Sequence, residues 1–99
     1  MRRIKLTVAY DGTNYCGWQI QPNGITIEEV LNQQLSRLTG EEIHVIGASR
    51  TDSGVHALGN IAVFDTNSTI PPGRFACAVN QKLPEDIVVI HSEEVPQGW

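Results

Sequence analysis

Apolar and polar side chains alternate over residues 4–10, with Ile4, Leu6, Val8 and Tyr10 in one set and Lys5, Thr7 and Ala9 in the other. A period of two marks a strand with one dry face and one wet face, and Asp11-Gly12 ends it. Residues 13–24 carry Gly, Asn, Gln and Pro without a helical period and read as a long loop that holds Tyr15 and Trp18. The period then lengthens. Thr26 followed by Glu29 is a capping box, Ile25 and Val30 suit a hydrophobic staple, and Ile27, Val30, Leu31, Leu35 and Leu38 form one apolar stripe. This pattern predicts a helix that starts at Ile27 and stops at Gly40, which supplies a left-handed end. Residues 43–48 and 59–64 are rich in β-branched types and read as a second and a third strand, expected to pair antiparallel. Pro71 and Pro72 suit a helix start, Phe75, Ala78, Val79 and Leu83 supply its stripe, and Pro84 ends it. Residues 87–90 are a continuous apolar run, expected to be a last, well-buried strand.

The order β-α-β-β-α-β predicts an α+β fold, a ferredoxin-like, RRM-like antiparallel sheet of four strands with two helices on one face. The other face is expected to lie open, with Lys5, Thr7 and Ala9 on it, and an open face of this kind ordinarily meets a ligand or another domain. Residues 1–99 fit a single domain, without repeats, low-complexity tracts or linkers. At 40% hydrophobic and 18% charged, the composition is that of a folded globular chain and excludes a disordered one.

Charge leaves the partner open. Seven basic and 11 acidic residues give a net charge of -4, which speaks against a polyanion partner because phosphate neutralisation needs a basic surface. Locally, Arg2, Arg3 and Lys5 crowd the first strand, while Glu28, Glu29, Glu41, Glu42, Glu85, Glu93 and Glu94 are expected at element ends away from Arg50. Cys16 and Cys77 match no metal-ligand spacing and read as free thiols in a reducing compartment, and the histidines are scattered, so no metal site is predicted. No apolar run approaches a membrane span, and Lys5 and Thr7 interrupt any signal core; a cytoplasmic location without a membrane partner is expected.

The chemistry concentrates in residues 47–57, Gly-Ala-Ser-Arg-Thr-Asp-Ser-Gly-Val-His-Ala. Arg50 and Asp52 stand two apart, so on a strand both would leave the same face, where the guanidinium favours the ionised carboxylate. With Gly54 permitting a sharp reversal, such an aspartate suits a nucleophile or base. The same residues also suit an ordinary Asp-Ser-Gly turn, in which Asp52 bonds nearby backbone N–H groups beside Arg50. Other candidates carry two readings as well. Tyr15 and Trp18 can stack on RNA bases or cover the edge of the core. Gln19 and Gln21 can bond phosphate or ribose, or only water, and His56 can orient Asp52 or be satisfied by local backbone.

Residues 47–57 closely resemble the signature of the tRNA pseudouridine synthase A family, usually seen as G-A-G-R-T-D-A-G-V-H-A; Ser49 and Ser53 are the departures, both small. Ala9-Tyr10-Asp11-Gly12-Thr13 with Gly17-Trp18-Gln19-Ile20-Gln21 is similar to the family's N-terminal motif, and Gly59-Asn60 with Phe64 resembles the strand after the signature. The resemblance implies isomerisation of uridine to pseudouridine in the anticodon stem-loop of tRNA, without metal or organic cofactor. Asp52 matches the catalytic aspartate, whose attack on base or sugar is left open, and Arg50 matches the arginine that holds the displaced backbone and orders the aspartate. Trp18, Gln19 and His56 are further RNA-binding candidates. The family is built from two halves of this topology and is usually dimeric. The chain would thus be the N-terminal half of the catalytic domain, inactive alone, with the base-stacking aromatic in the missing C-terminal half.

Two rival readings remain. A non-catalytic RNA-binding module of the same plan should carry an aromatic-rich third strand, where residues 59–64 offer only Phe64. A dimerising module suits the acidic charge but leaves the grouping of Arg50, Asp52 and Gly54 unexplained.

Overall fold

The computed structural model describes residues 1–22, 24–47 and 57–99. Among them the chain forms β1 (Arg2–Tyr10), α1 (Ile27–Thr39), β2 (Ile46–Gly47), β3 (Ala57–Thr66), α2 (Phe75–Asn80) and β4 (Ile87–Val95). The strands lie in the order β2-β3-β1-β4 with every neighbouring pair antiparallel, the ferredoxin-like plan expected from the element order. Central β1 buries Ile4, Leu6, Val8 and Tyr10 against Leu31 and Leu35 of α1 and Phe75 and Val79 of α2, so both helices cover one face. Phe64 and Phe75 meet edge to face at 5.4 Å, joining β3 to α2. Lys5, Thr7 and Ala9 lie half-buried on the opposite face, as expected.

Helix α1 forms as its local chemistry dictates. The Thr26 hydroxyl accepts the Glu29 N–H at 3.3 Å, and Gly40 adopts φ 73°, its N–H donating to Ser36 O at 2.9 Å. Ile25 is exposed, so the staple with Val30 contributes little.

The second strand is a correction. Expected over residues 43–48, it is confined in the described chain to Ile46–Gly47, because α1 takes the preceding backbone donors. The Ile43 N–H donates to Ser36 Oγ at 2.9 Å and the Val45 N–H to Asn32 Oδ1 at 2.8 Å. β3 runs further than residues 59–64, reaching Thr66, whose hydroxyl donates to the Glu41 carboxylate at 2.7 Å.

The second helix is preceded by a 3-10 turn, Pro72–Arg74, and buries Phe75, Ala76 and Val79; Ala78 is only half-buried and Leu83 lies past its end. β4 extends well beyond residues 87–90, and only alternate members of the apolar run are covered: Val88 is 43% and Ile90 57% exposed. A continuous apolar run implies cover on both faces, but this sheet has helices on one. Opposite Thr7 and Val8 the register of β4 shifts at Ile90, a bulge that turns His91 onto the open face. α2 grips β4 from outside: Asn80 Nδ2 donates to Val89 O at 2.9 Å and its Oδ1 accepts the Val89 N–H at 2.8 Å.

Candidate functional site

The segment singled out by its chemistry joins β2 to β3. Its described ends are Gly47, which pairs with Ala62, and Ala57, which pairs with Tyr10. Arg50, Asp52 and His56 lie outside the described residues.

At the departing end stands Trp18. Its indole is 2% exposed and packs beside Tyr10, with ring centroids 6.0 Å apart. The structure therefore places Trp18 in the core, in keeping with the second of the two readings its sequence allowed, cover for the core edge. The loop bearing it is pinned to the first turn of α1, where the Ile27 N–H donates to Gly17 O at 3.2 Å and the Glu28 N–H to Trp18 O at 3.0 Å. The Glu28 carboxylate also accepts the Ile20 N–H at 2.9 Å. Gln19 is exposed beside Trp18, and the two border a groove of about 170 Å³ that reaches Gly47. Trp18 and Gln19 thus come together at the point where the signature segment begins.

At the returning end, a depression of about 370 Å³ adjoins Ala57. Ala9, Leu58 and Val88 give it an apolar floor, while Asp11, Glu85 and Asp86 make part of its rim acidic. Leu58 is 90% exposed because the register of β3 shifts there, with Leu58 and Gly59 opposing Ala9. The Tyr15 hydroxyl donates to Asp86 Oδ1 at 2.6 Å and the Asp11 N–H to Asp86 O at 2.9 Å. Burial, then this hydrogen bond, holds the Tyr15 phenol well above the ordinary tyrosine range. Tyr15 is thus a strut between the loop and the start of β4.

The basic residues of β1 are engaged within the fold. Arg2 donates to the carbonyls of Ser68 and, at 2.8 Å, Ile70. Arg3 forms a two-pronged pair with Asp65 at 2.9 and 3.0 Å, and Lys5 Nζ lies 2.9 Å from Glu93 and 5.2 Å from the Trp99 ring centroid. Glu93 and Glu94 therefore sit at the C-terminal end of β4, as expected, and beside these cations. Among the described residues no cluster of His, Cys, Asp or Glu could hold a metal, and no helix is long and apolar enough to cross a membrane.

Comparison with known proteins meets this geometry. Residues 6–98 match the model of a family described as tRNA pseudouridine synthase. The chain belongs to that family. It is 57% identical over its whole length to tRNA pseudouridine synthase A of Ruminiclostridium cellulolyticum, covering 40% of that protein. It is 54% identical to tRNA pseudouridine synthase A of Clostridium acetobutylicum and 55% identical to tRNA pseudouridine synthase A 2 of Clostridium perfringens, covering 41% of each. The chain thus spans about two-fifths of the length of these relatives. Within this pseudouridine synthase chain, two contacts had no sequence signal: the Tyr15–Asp86 bond joins residues 71 apart, and Trp18 meets Gly47 across the whole of α1.

Proposed function

We propose that this chain is the N-terminal part of a tRNA pseudouridine synthase, an isomerase in which Asp52 is the nucleophile. The net reaction breaks the bond between N1 of uracil and C1′ of ribose and forms one between C5 and C1′; C5 loses its proton and N1 gains one. An aspartate carboxylate serves by adding covalently to base or sugar, holding the fragments while the base turns. Arg50 orders that carboxylate and holds the strand from which the nucleotide is drawn, a recurrent need when chemistry is done on a base. His56 and Gln19 are RNA contacts near Asp52 and at the departing end of the segment. Trp18 supports the site from within the core. The substrate is the anticodon stem-loop of tRNA, no cofactor takes part, and the working enzyme is a cytoplasmic homodimer whose C-terminal half completes the pocket.

The observation that carries this reading is Asp52 within residues 47–57 of a chain that matches the family over residues 6–98. Uridine isomerisation on tRNA is to be assayed with the 99-residue chain and with the full-length enzyme, each also as Asp52→Ala. Full-length enzyme should turn over and its Asp52→Ala form should not, while the short chain should be inactive. Turnover that survives the substitution removes Asp52 from the chemistry; turnover by the short chain removes the need for a second half.

A further inference from the structure

Gly47 is glycine for want of space. Among the described residues Gly17 and Gly40 have positive φ and Gly47 does not, so its backbone makes no demand that an alanine could not meet. A Cβ built there, however, would lie 2.7 Å from Cε2 and 3.0 Å from Cζ2 of Trp18, and closer still to Nε1. The indole is rigid and cannot step aside. It is 2% exposed, Tyr10 stands beside it, and its own backbone is fastened to the first turn of α1 through Gly17 O and Trp18 O. The last described residue of β2 is therefore registered against the start of α1 through a single aromatic ring.

We propose that Trp18 is a positioning residue, its buried indole seated on the Gly47 backbone to fix the position of Gly47, five residues before Asp52 in the sequence. This rests on the reading of Asp52 as nucleophile. A side chain at position 47 would have to move the backbone by roughly 1 Å to restore ordinary carbon contacts. Shifts of that size at a distance from the chemistry cost about 100-fold in rate, because a reacting group loses its alignment while substrate is still held. The signature of the effect is a loss in kcat rather than in KM.

The test uses the full-length enzyme as wild type, Gly47→Ala, Trp18→Phe, the double variant and Asp52→Ala. Uridine isomerisation on tRNA gives kcat and KM, and thermal unfolding reports folding. Gly47→Ala should lower kcat by about 100-fold with KM within about two-fold of wild type. Trp18→Phe removes Nε1 and the ring edge that a Cβ would strike. The double variant should therefore turn over at least about ten-fold faster than Gly47→Ala. If Gly47→Ala does not fold, Trp18→Phe carries the comparison: it should be slower than wild type at unchanged KM, and the double variant should recover kcat. A folded Gly47→Ala enzyme with wild-type kcat, a folded double variant without recovery, or a rise in KM at unchanged kcat overturns the proposal. If Asp52→Ala is active or wild type is not, the nucleophile reading falls, and this inference with it; if only the Gly47 and Trp18 variants miss expectation, this inference falls alone.

Discussion

Arg3 and Asp65 face one another across β1 and β3 on the open side of the sheet, joined by hydrogen bonds of 2.9 and 3.0 Å. The Arg3 hydrogen bond holds the Asp65 carboxyl below its ordinary value of 3.8, and Lys5 and then His91 hold Glu93 below 4.5. Both folded-state values are depressed, so the stability they contribute is present above those ordinary values. It is lost as pH falls through the folded ones. Both pairs are accessible to solvent, which keeps the effect small. Urea unfolding at about pH 6 and about pH 3 should show the wild-type advantage over an Arg3→Gln/Asp65→Asn variant shrinking in acid; equal differences at the two values would contradict it. At this scale the sequence was legible for residue type and less so for role. Arg2, Arg3 and Lys5 were visible as a basic group, but their partners Ser68, Ile70, Asp65 and Glu93 come from elements brought alongside by the sheet. Trp18 was visible as part of a motif, yet its partner is 29 positions away and has no side chain to advertise the contact.

Elements were legible where their determinants are local. The Thr26 cap and the Gly40 stop bound α1 because each acts within a few residues of itself. β2 was not legible, because what shortens it is on another element: Asn32 and Ser36 sit on α1 and accept N–H groups that a strand would otherwise pair. β-branched content alone cannot register that competition. Asn32 is buried, so truncating it to alanine leaves the Val45 N–H without its acceptor at a cost of about 1–3 kcal/mol. Denaturant unfolding should show that loss in Asn32→Ala, together with faster hydrogen exchange at the Val45 amide; unchanged stability and exchange would mean that the segment holds its place without α1. β4 was misjudged for the opposite reason, since its four apolar residues carry no sign of how many faces of the sheet are covered. That number is a property of the whole arrangement.

For the whole molecule, the open face presents Ile46, Leu58, Val88 and Ile90 to solvent, all large and apolar. Exposed apolar surface of this kind favours association. The 99-residue chain should therefore form dimers or larger species with rising concentration, which light scattering over a dilution series detects; a strict monomer at the highest concentration would contradict it. Replacing Leu58 and Ile90 by lysine should return such species to monomers. The plan of the sheet was legible from the order of its elements. What lay beyond the sequence is how Gly47 and Ala57, on either side of the undescribed residues, are held, which depends on contacts spanning the fold.

The double hold of Asn80 on Val89 also limits how this sheet can be extended. A newcomer strand approaching that flank would first have to evict an amide that already satisfies both backbone groups of Val89, and among the described residues the opposite flank, β2, offers Ile46 and Gly47 as its template. Copies of the chain should consequently meet face to face, as a bounded cluster, and resist stacking into fibres.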